Sequence, residues 1–167
     1  MVTRVQFTHL IQCDVETFWG DFLDDDFNRE LFVSELGYPA YRVLERKVDG
    51  PRVWRRIEMT PLLRLPAAVT KIVGNKLSFV EVGDFDGALY RFSFGPPAGF
   101  GADVAVSAGS IRTEPAAHGA TQRTVELGCE IRMFGVGRML ESAAVKAARD
   151  AYDEHAKALN RLLAKRG

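Results

Sequence analysis

Residues 135–163 read GVGRMLESAAVKAARDAYDEHAKALNRLL, which is the longest helical pattern in the sequence. Apolar residues recur there every three or four positions and predict one helix from about Val136 to Lys165. Alanine fills the middle of the apolar stripe and larger residues stand at its ends: Ala143, Ala144, Ala147, Ala148 and Ala151, flanked by Met139, Leu140, Leu159 and Leu162. A helix of this length needs a broad apolar surface to pack against.

Strand-like segments upstream predict that surface. Pairs of alternating runs flank turns at residues 49–50, 84–87 and 115–120, which predicts three β-hairpins. One more strand opens the chain and leads into two short helices, the first capped by Asp14 and the second ended by Gly37. The order β-α-α-β6-α predicts an α+β fold with an antiparallel sheet of about seven strands, as a single domain over residues 1–167.

The alanine stripe leaves two interpretations open. In the first, small side chains let the helix approach a sheet whose large residues, such as Tyr90, Phe92 and Phe94 on one strand face, fill the gap. In the second, they leave a cavity for a guest molecule. An empty apolar cavity costs on the order of 24 cal/mol per Å³. A hollow of about 300 Å³ would therefore take a large share of a typical stability of about 5–15 kcal/mol, and its retention would indicate a ligand.

Both ends of the chain resemble one superfamily. The opening segment FTHLIQCDVETFWGDFLDDDFNREL (7–31) and the closing segments GATQRTVELGCEI (119–131) and GVGRMLE (135–141) are similar to the START-like, or SRPBCC, superfamily. This superfamily includes polyketide cyclases, Bet v 1 and lipid-transport proteins, and the closing segments look most like an uncharacterised bacterial branch. The resemblance implies a helix-grip fold, in which a curved sheet wraps around the last helix and grips hydrophobic guests.

The resemblance also implies a ligand site between the last helix and the sheet. The residues expected to contact a ligand lie on the strands and along the apolar stripe: Trp54, Phe79, Tyr90, Phe92, Phe94, Met139, Leu140, Ala143, Ala147, Ala151 and His155. Arg55 and Arg91 share strand faces with less polar neighbours. Either arginine is a candidate for binding the carboxylate or phosphate head group of a guest.

The connection MTPLLRLPAAVTKIVG (59–74) is strongly apolar for a link between two hairpins. It is either a satellite core cluster or a gate over the cavity that leans into a membrane while a ligand loads. The expected gate residues are Leu62, Leu63 and Leu65, together with Phe100 from a second connection. Basic residues on the first hairpin fit a solvated face better than a site for anionic lipids.

Composition excludes several classes of function. Lys plus Arg and Asp plus Glu both number 22, so no net charge points to nucleic acid. Neither a signal peptide nor a spanning segment is recognised, and Cys13 and Cys129 read as reduced thiols, so we expect a cytoplasmic protein. No metal-ligand spacing or phosphate loop occurs, so neither a metal nor a cofactor is expected. Oligomeric state is not predicted.

Three functions fit these observations. The first is binding, with or without transfer, of a hydrophobic small molecule such as a lipid or sterol-like ligand. The second is a cyclase or aromatase acting in the same cavity, with Glu81, Tyr90 and Arg91 as an acid–base set. The third is an interaction module with a filled core. Because no catalytic motif is found, the sequence favours binding over catalysis.

Overall fold

The structure is a computed structural model that describes residues 2–62, 64–74, 77–95 and 105–167. The strands are β1 (Thr3–Ile11), β2 (Ala40–Asp49), β3 (Arg52–Thr60), β4 (Phe79–Phe85), β5 (Tyr90–Phe94), β6 (Ala105–Pro115) and β7 (Thr121–Ile131). The α-helices are α1 (Val15–Phe22), α2 (Asp25–Arg29), α3 (Ala67–Val73) and α4 (Gly137–Arg166). The predicted α+β order of elements is therefore confirmed.

The seven strands form one antiparallel sheet in the order β1-β7-β6-β5-β4-β3-β2. Strands β2 to β7 follow one another as a meander, and β1 joins the far edge by pairing with β7. Two turns use glycine with positive φ, Gly50 at 57° and Gly87 at 105°, which an L side chain adopts only with strain. These are the turns of the first two predicted hairpins.

The segment between β1 and β2 crosses from one edge of the sheet to the other. Asp14 and Asp24 each accept a backbone N–H three residues on, at 2.7 Å, and so cap α1 and α2. Helix α2 continues as a π-helical segment, Glu30–Glu35. The chain then turns at Gly37, whose φ is 72°, as the sequence predicted.

Helix α4 packs along β1 and β7 and is buried unevenly. Its C-terminal half contributes most of the buried residues to the core, including Ala158, Leu159 and Leu162, beside Phe7 and Ile11 of β1. In its N-terminal half only Leu140 is buried, and the alanines between these two regions are half-buried. The helix therefore leaves the sheet uncovered beneath its alanine stripe.

Part of the apolar connection is a helix that the sequence analysis did not predict. Pro66 precedes Ala67, the first residue of α3, and Gly74 with a φ of 85° follows its last residue. Proline at a helix start removes no intrahelical hydrogen bond, so it does not disfavour the helix that follows. Val69 of α3 is buried, and α3 contacts α4.

Candidate ligand cavity

A cavity of about 300 Å³ lies between α4 and the sheet. Alanines of α4 form one wall: Ala143, Ala144, Ala147, Ala148 and Ala151. Apolar strand residues form the opposite wall: Phe79, Phe94, Ile111, Leu127, Cys129 and Ile131. The structure thus contains the void that the second interpretation of the alanine stripe requires.

Several of the predicted contact residues line this cavity: Phe79, Phe94, Leu140, Ala143, Ala147, Ala151 and His155. Tyr90 and Phe92 are buried in the core behind the lining. Met139 is 40% exposed and does not line the cavity. Ligand contact by the lining residues remains a prediction. Tyr90, Phe92 and Met139 lie outside the proposed site.

Trp54 lies on the outer face of the sheet. Its neighbours on β3, Val53 and Arg55, are buried, and because side chains alternate along a strand, Trp54 faces the other way. The Lys47 ammonium lies 4.9 Å from the centre of the indole ring. Trp54 is therefore also outside the proposed site.

The predicted gate residues lie in different environments. Leu65 lines the cavity together with Val69 and Val73 of α3, whereas Leu62 is 62% exposed. Leu63 and Phe100 lie outside the described residues. Helix α3 thus forms part of the cavity wall, and the gating function stays a prediction.

One end of the cavity lies where several strands end. Antiparallel pairing brings the end of β3 beside the start of β4, and the start of β6 beside the end of β7. Phe134, in the turn between β7 and α4, is fully exposed beside the lining residue Met133. This end of the molecule therefore presents an aromatic side chain to solvent next to the cavity.

A buried polar relay crosses the wall formed by β3, β4 and β5. Arg55 Nε donates to Tyr90 Oη at 3.3 Å, and Tyr90 Oη donates to Glu81 Oε1 at 2.5 Å. All three residues are buried, and Glu81 lines the cavity. Burial raises the pKa of the Glu81 carboxyl, although Arg55 and the Tyr90 hydroxyl both oppose that shift.

The backbone makes room for this relay at Gly83. A Cβ atom built there would lie 1.7 Å from Tyr90 Oη, so any other residue at position 83 would displace the tyrosine. The relay contains two members of the predicted acid–base set, Glu81 and Tyr90. The third, Arg91, is exposed on the outer face, where it pairs with Asp86 at 3.1 Å.

Sequence analysis missed a second buried polar cluster, which is centred on Arg123 of β7. Arg123 Nη1 lies 2.8 Å from His155 Nδ1 of α4, and Arg123 Nη2 lies 3.1 Å from His9 Nδ1 of β1. Nη2 also donates to the Tyr152 carbonyl at 3.2 Å. His9 Nε2 in turn lies 2.7 Å from Asp153 Oδ1, which is at the surface. One arginine thus joins β1, β7 and α4.

A signal for this cluster exists in the sequence. Arg123 falls in the alternating run that places Thr121, Val125 and Leu127 on the buried face of β7. A charged side chain at an inward position of a strand needs partners because burying it alone is costly. The identity of those partners could not be predicted, since His9 is 114 residues away along the chain.

Burial shifts the ionisation of the cluster. Burial lowers the pKa of His155 well below its ordinary value, and the Arg123 charge lowers it further. Burial likewise lowers the pKa of His9 and brings that of Arg123 down to about 10. At neutral pH the cluster therefore consists of a protonated arginine between two neutral imidazoles.

This arrangement predicts a loss of stability in mild acid. In the unfolded chain a histidine protonates as the pH falls below about 6.5, whereas folded His155 stays neutral. The unfolded state then binds more protons, so the free energy of unfolding falls by up to about 1.4 kcal/mol per pH unit. Urea unfolding at pH 7, 6 and 5 measures how the free energy of unfolding changes with pH, and His155→Gln should make this dependence shallower.

The control is Leu159→Ala in the same helix, which should lower the free energy of unfolding without changing its dependence on pH. Equal pH dependence in the wild type and in His155→Gln would contradict the expectation.

The described residues contain no helix long and apolar enough to cross a membrane. They also contain no group of three or more His, Cys, Asp or Glu side chains arranged to hold a metal ion.

Comparison with protein families and solved structures gives a consistent result. Residues 6–163 match the model of a family described as "Protein of unknown function (DUF2505)". None of the curated proteins compared matches the chain. In structure, the chain is similar to a protein from Thermus thermophilus, at 17% identity over 99% of this chain and 100% of the other, with a TM-score of 0.69.

Two further similar structures have names that state an activity or a superfamily. The Zhui aromatase/cyclase from a Streptomyces species is 12% identical, with 98% of this chain and 96% of the other covered and a TM-score of 0.69. A START superfamily protein from Mycobacterium smegmatis is 16% identical, with 98% and 99% covered and a TM-score of 0.68. At these identities the similarity shows the fold, and it confirms the START-like helix-grip architecture.

Proposed function

The chain belongs to the DUF2505 family, and we propose that it binds a hydrophobic small molecule, a lipid or sterol-like compound, between α4 and the sheet. The observation that carries this proposal is the cavity of about 300 Å³ beneath the alanine stripe. At roughly 24 cal/mol per Å³, an empty apolar void of that size costs several kcal/mol. Leucine at two or three of these alanines would fill much of it, so the small residues are best explained by an occupant.

The lining also supports an amphipathic guest. Most of the wall is aliphatic or aromatic, and its polar side chains include Tyr38, Glu81, Ser107, Arg123 and His155. Pockets for small molecules combine mostly apolar walls with a few placed polar groups, and their volumes begin at about 300 Å³. A hydrocarbon body with one polar end matches this distribution.

Gently purified protein should carry its guest. Native mass spectrometry should show an adduct that organic extraction removes, and the extract identifies the compound. Delipidated protein should gain thermal stability with at least one compound from a panel of fatty acids, phospholipids and sterols, by about 2.7 kcal/mol at a hundredfold excess over Kd. Protein that is always empty, and that no compound in the panel stabilises, would contradict the proposal.

A cyclase or aromatase is the second candidate. The observation that favours it is the Glu81 carboxyl, which lines the cavity, bonds to Tyr90 and has a pKa raised by burial. Such a group suits proton transfer to a bound polyketide-like substrate. Glu81→Gln separates the two functions, because a binding protein would retain its guest whereas an enzyme would bind substrate and lose turnover.

We also propose a transient membrane contact at the Phe134 end of the cavity. Phe134 is fully exposed, and the nearby Arg138 is an exposed basic residue that would favour an anionic surface. Phe134→Ser should slow transfer of a fluorescent fatty acid from anionic vesicles several-fold without changing the melting temperature. The matched control is Val48→Ser, a 60% exposed apolar residue beside the turn at the opposite end of β3. Equal transfer rates in both variants would exclude this contact.

A further inference from the structure

The tautomer of His155 is determined by its neighbour. An arginine guanidinium carries five N–H donors and no acceptor, so the nitrogen that faces it must accept. His155 Nδ1 lies 2.8 Å from Arg123 Nη1 and is therefore the acceptor. The neutral imidazole then carries its proton on Nε2. His155 lines the cavity and also a water-sized pocket of about 10 Å³ beside α1 and α2. Its Nε2 makes no hydrogen bond to any described residue.

The same reasoning applies to His9, where the end of the relay is visible. Arg123 Nη2 donates to His9 Nδ1, which leaves the proton on Nε2. That Nε2–H donates to the carboxylate of Asp153 at 2.7 Å. The series of hydrogen bonds from Arg55 through Tyr90 also ends on a carboxylate, that of Glu81. Of the three series that start at a buried arginine, two therefore end on a protein carboxylate. The third, from Arg123 through His155, ends without one.

The geometry points to a carboxylate on the guest as the group that completes the relay through His155, with His155 Nε2 as its hydrogen-bond donor and Arg123 as the cation behind it. This inference rests on the proposed binding function and specifies its ligand class as a fatty acid or similar aliphatic carboxylate. Hydrogen bonds to an ionised acceptor are about twice as strong as neutral ones.

Other features of the cluster agree with an anionic guest. Arg123 has no exposed surface, and its Nε has no hydrogen-bond partner among the described residues. Arg123 makes no direct ion pair with Asp153, because His9 lies between the two residues. The Asp153 side chain is also 48% exposed. Glu81, an acid in the cavity wall, is already linked to Arg55 by hydrogen bonds through the Tyr90 hydroxyl. Arg55 also has an unpartnered buried nitrogen, Nη1, but Arg123 is the buried arginine that lines the cavity.

Three ligands with one chain length test the inference: laurate, 1-dodecanol and methyl laurate. Each displaces a neutral fluorescent probe, N-phenyl-1-naphthylamine, from delipidated wild-type protein at pH 7.5. Laurate should bind at least tenfold more tightly than either neutral analogue. His155→Phe should weaken laurate binding roughly 10- to 100-fold, the range expected for a hydrogen bond to a charged group. Dodecanol, a neutral acceptor, should lose a smaller factor of roughly 2- to 10-fold. Trp54→Phe, on the outer face of the sheet and outside the proposed site, is the control and should preserve both affinities.

The outcomes separate the two proposals. If none of the three ligands displaces the probe and no fatty acid, phospholipid or sterol of the panel stabilises the protein, the binding function itself fails. If a phospholipid or sterol stabilises the protein but laurate does not displace the probe, only the carboxylate inference is overturned. If all three bind equally, the cavity binds lipid but the carboxylate inference is overturned. A measurement on the wild-type protein keeps the test valid if His155→Phe does not fold. In ¹H–¹⁵N NMR, the Nε2–H signal of His155 should move downfield when laurate binds. An unchanged signal with laurate bound would also overturn the inference.

Discussion

Replacing Arg123 by methionine is expected to lower the free energy of unfolding by about 3–5 kcal/mol. The methionine keeps the apolar bulk but leaves two imidazole acceptors, His155 Nδ1 and His9 Nδ1, without donors. It also removes the additional side-chain donor to the Tyr152 carbonyl, which lies within α4. A buried group deprived of its partner costs about 1–3 kcal/mol. Since these groups belong to β1 and α4, the change also removes a bond between the first strand and the last helix.

Urea unfolding followed by circular dichroism measures this effect. The matched control is Arg112→Met on the neighbouring strand β6, where the arginine is exposed and pairs with Glu126 at 2.7 Å. Exposed pairs contribute about 0–1 kcal/mol, so this variant should stay close to wild type. Similar losses in the two variants would show that the Arg123 cluster is not a stabilising centre. Arg123→Lys extends the test, because lysine keeps the charge and loses the planar fork.

Replacing Ala147 by phenylalanine should weaken guest binding at least tenfold and leave the fold intact. The ring would occupy part of the 300 Å³ cavity that Ala147 lines. Filling some 50–100 Å³ of void should also raise the free energy of unfolding by about 1–2 kcal/mol. Most core substitutions destabilise a protein, so a variant that gains stability while losing its ligand would be diagnostic of a functional cavity.

The control for Ala147→Phe is Ala164→Phe, an exposed position on the same helix. It should change neither ligand affinity nor stability by a large amount. Calorimetry of laurate binding and thermal unfolding of both variants provide the comparison. Normal laurate affinity in Ala147→Phe would contradict the proposed position of the guest, and a marked loss of stability would show that the space beneath Ala147 is already filled.

The architecture was predictable because its signals are local. The period of residues 135–163 predicts α4, and Asp49–Gly50 predicts the first hairpin, without reference to distant parts of the chain. Helix α3 was not predicted, because the prolines at 61 and 66 read as interruptions although Pro66 only precedes the helix. The alanine stripe was a local signal as well, because the sequence gives the side-chain volumes along one face of a helix. It therefore pointed to a cavity as one of two interpretations.

The site was less predictable where it depends on depth or on distant contacts. Strand alternation separates Trp54 from Arg55, but its aromatic ring favoured Trp54 as a ligand contact, and the structure places it outside. Phe92 and Phe94 share a strand face, yet only Phe94 reaches the cavity. Periodicity gives the face of a residue and not its position along the core. The Arg123 cluster needs three elements to meet, which one sequence does not reveal.

The pairing of β1 with β7 has a consequence for synthesis on the ribosome. Ile11 pairs with Thr121 and Thr3 with Cys129, so translation supplies the partner of the first strand only 110 to 126 residues later. At about 5–20 residues per second, the nascent chain holds β1 without its neighbour for roughly 5–25 s. Phe7 and Ile11, both buried in the finished protein, are exposed during that interval. Completion of the sheet therefore waits for the synthesis of β7, the strand with which β1 pairs.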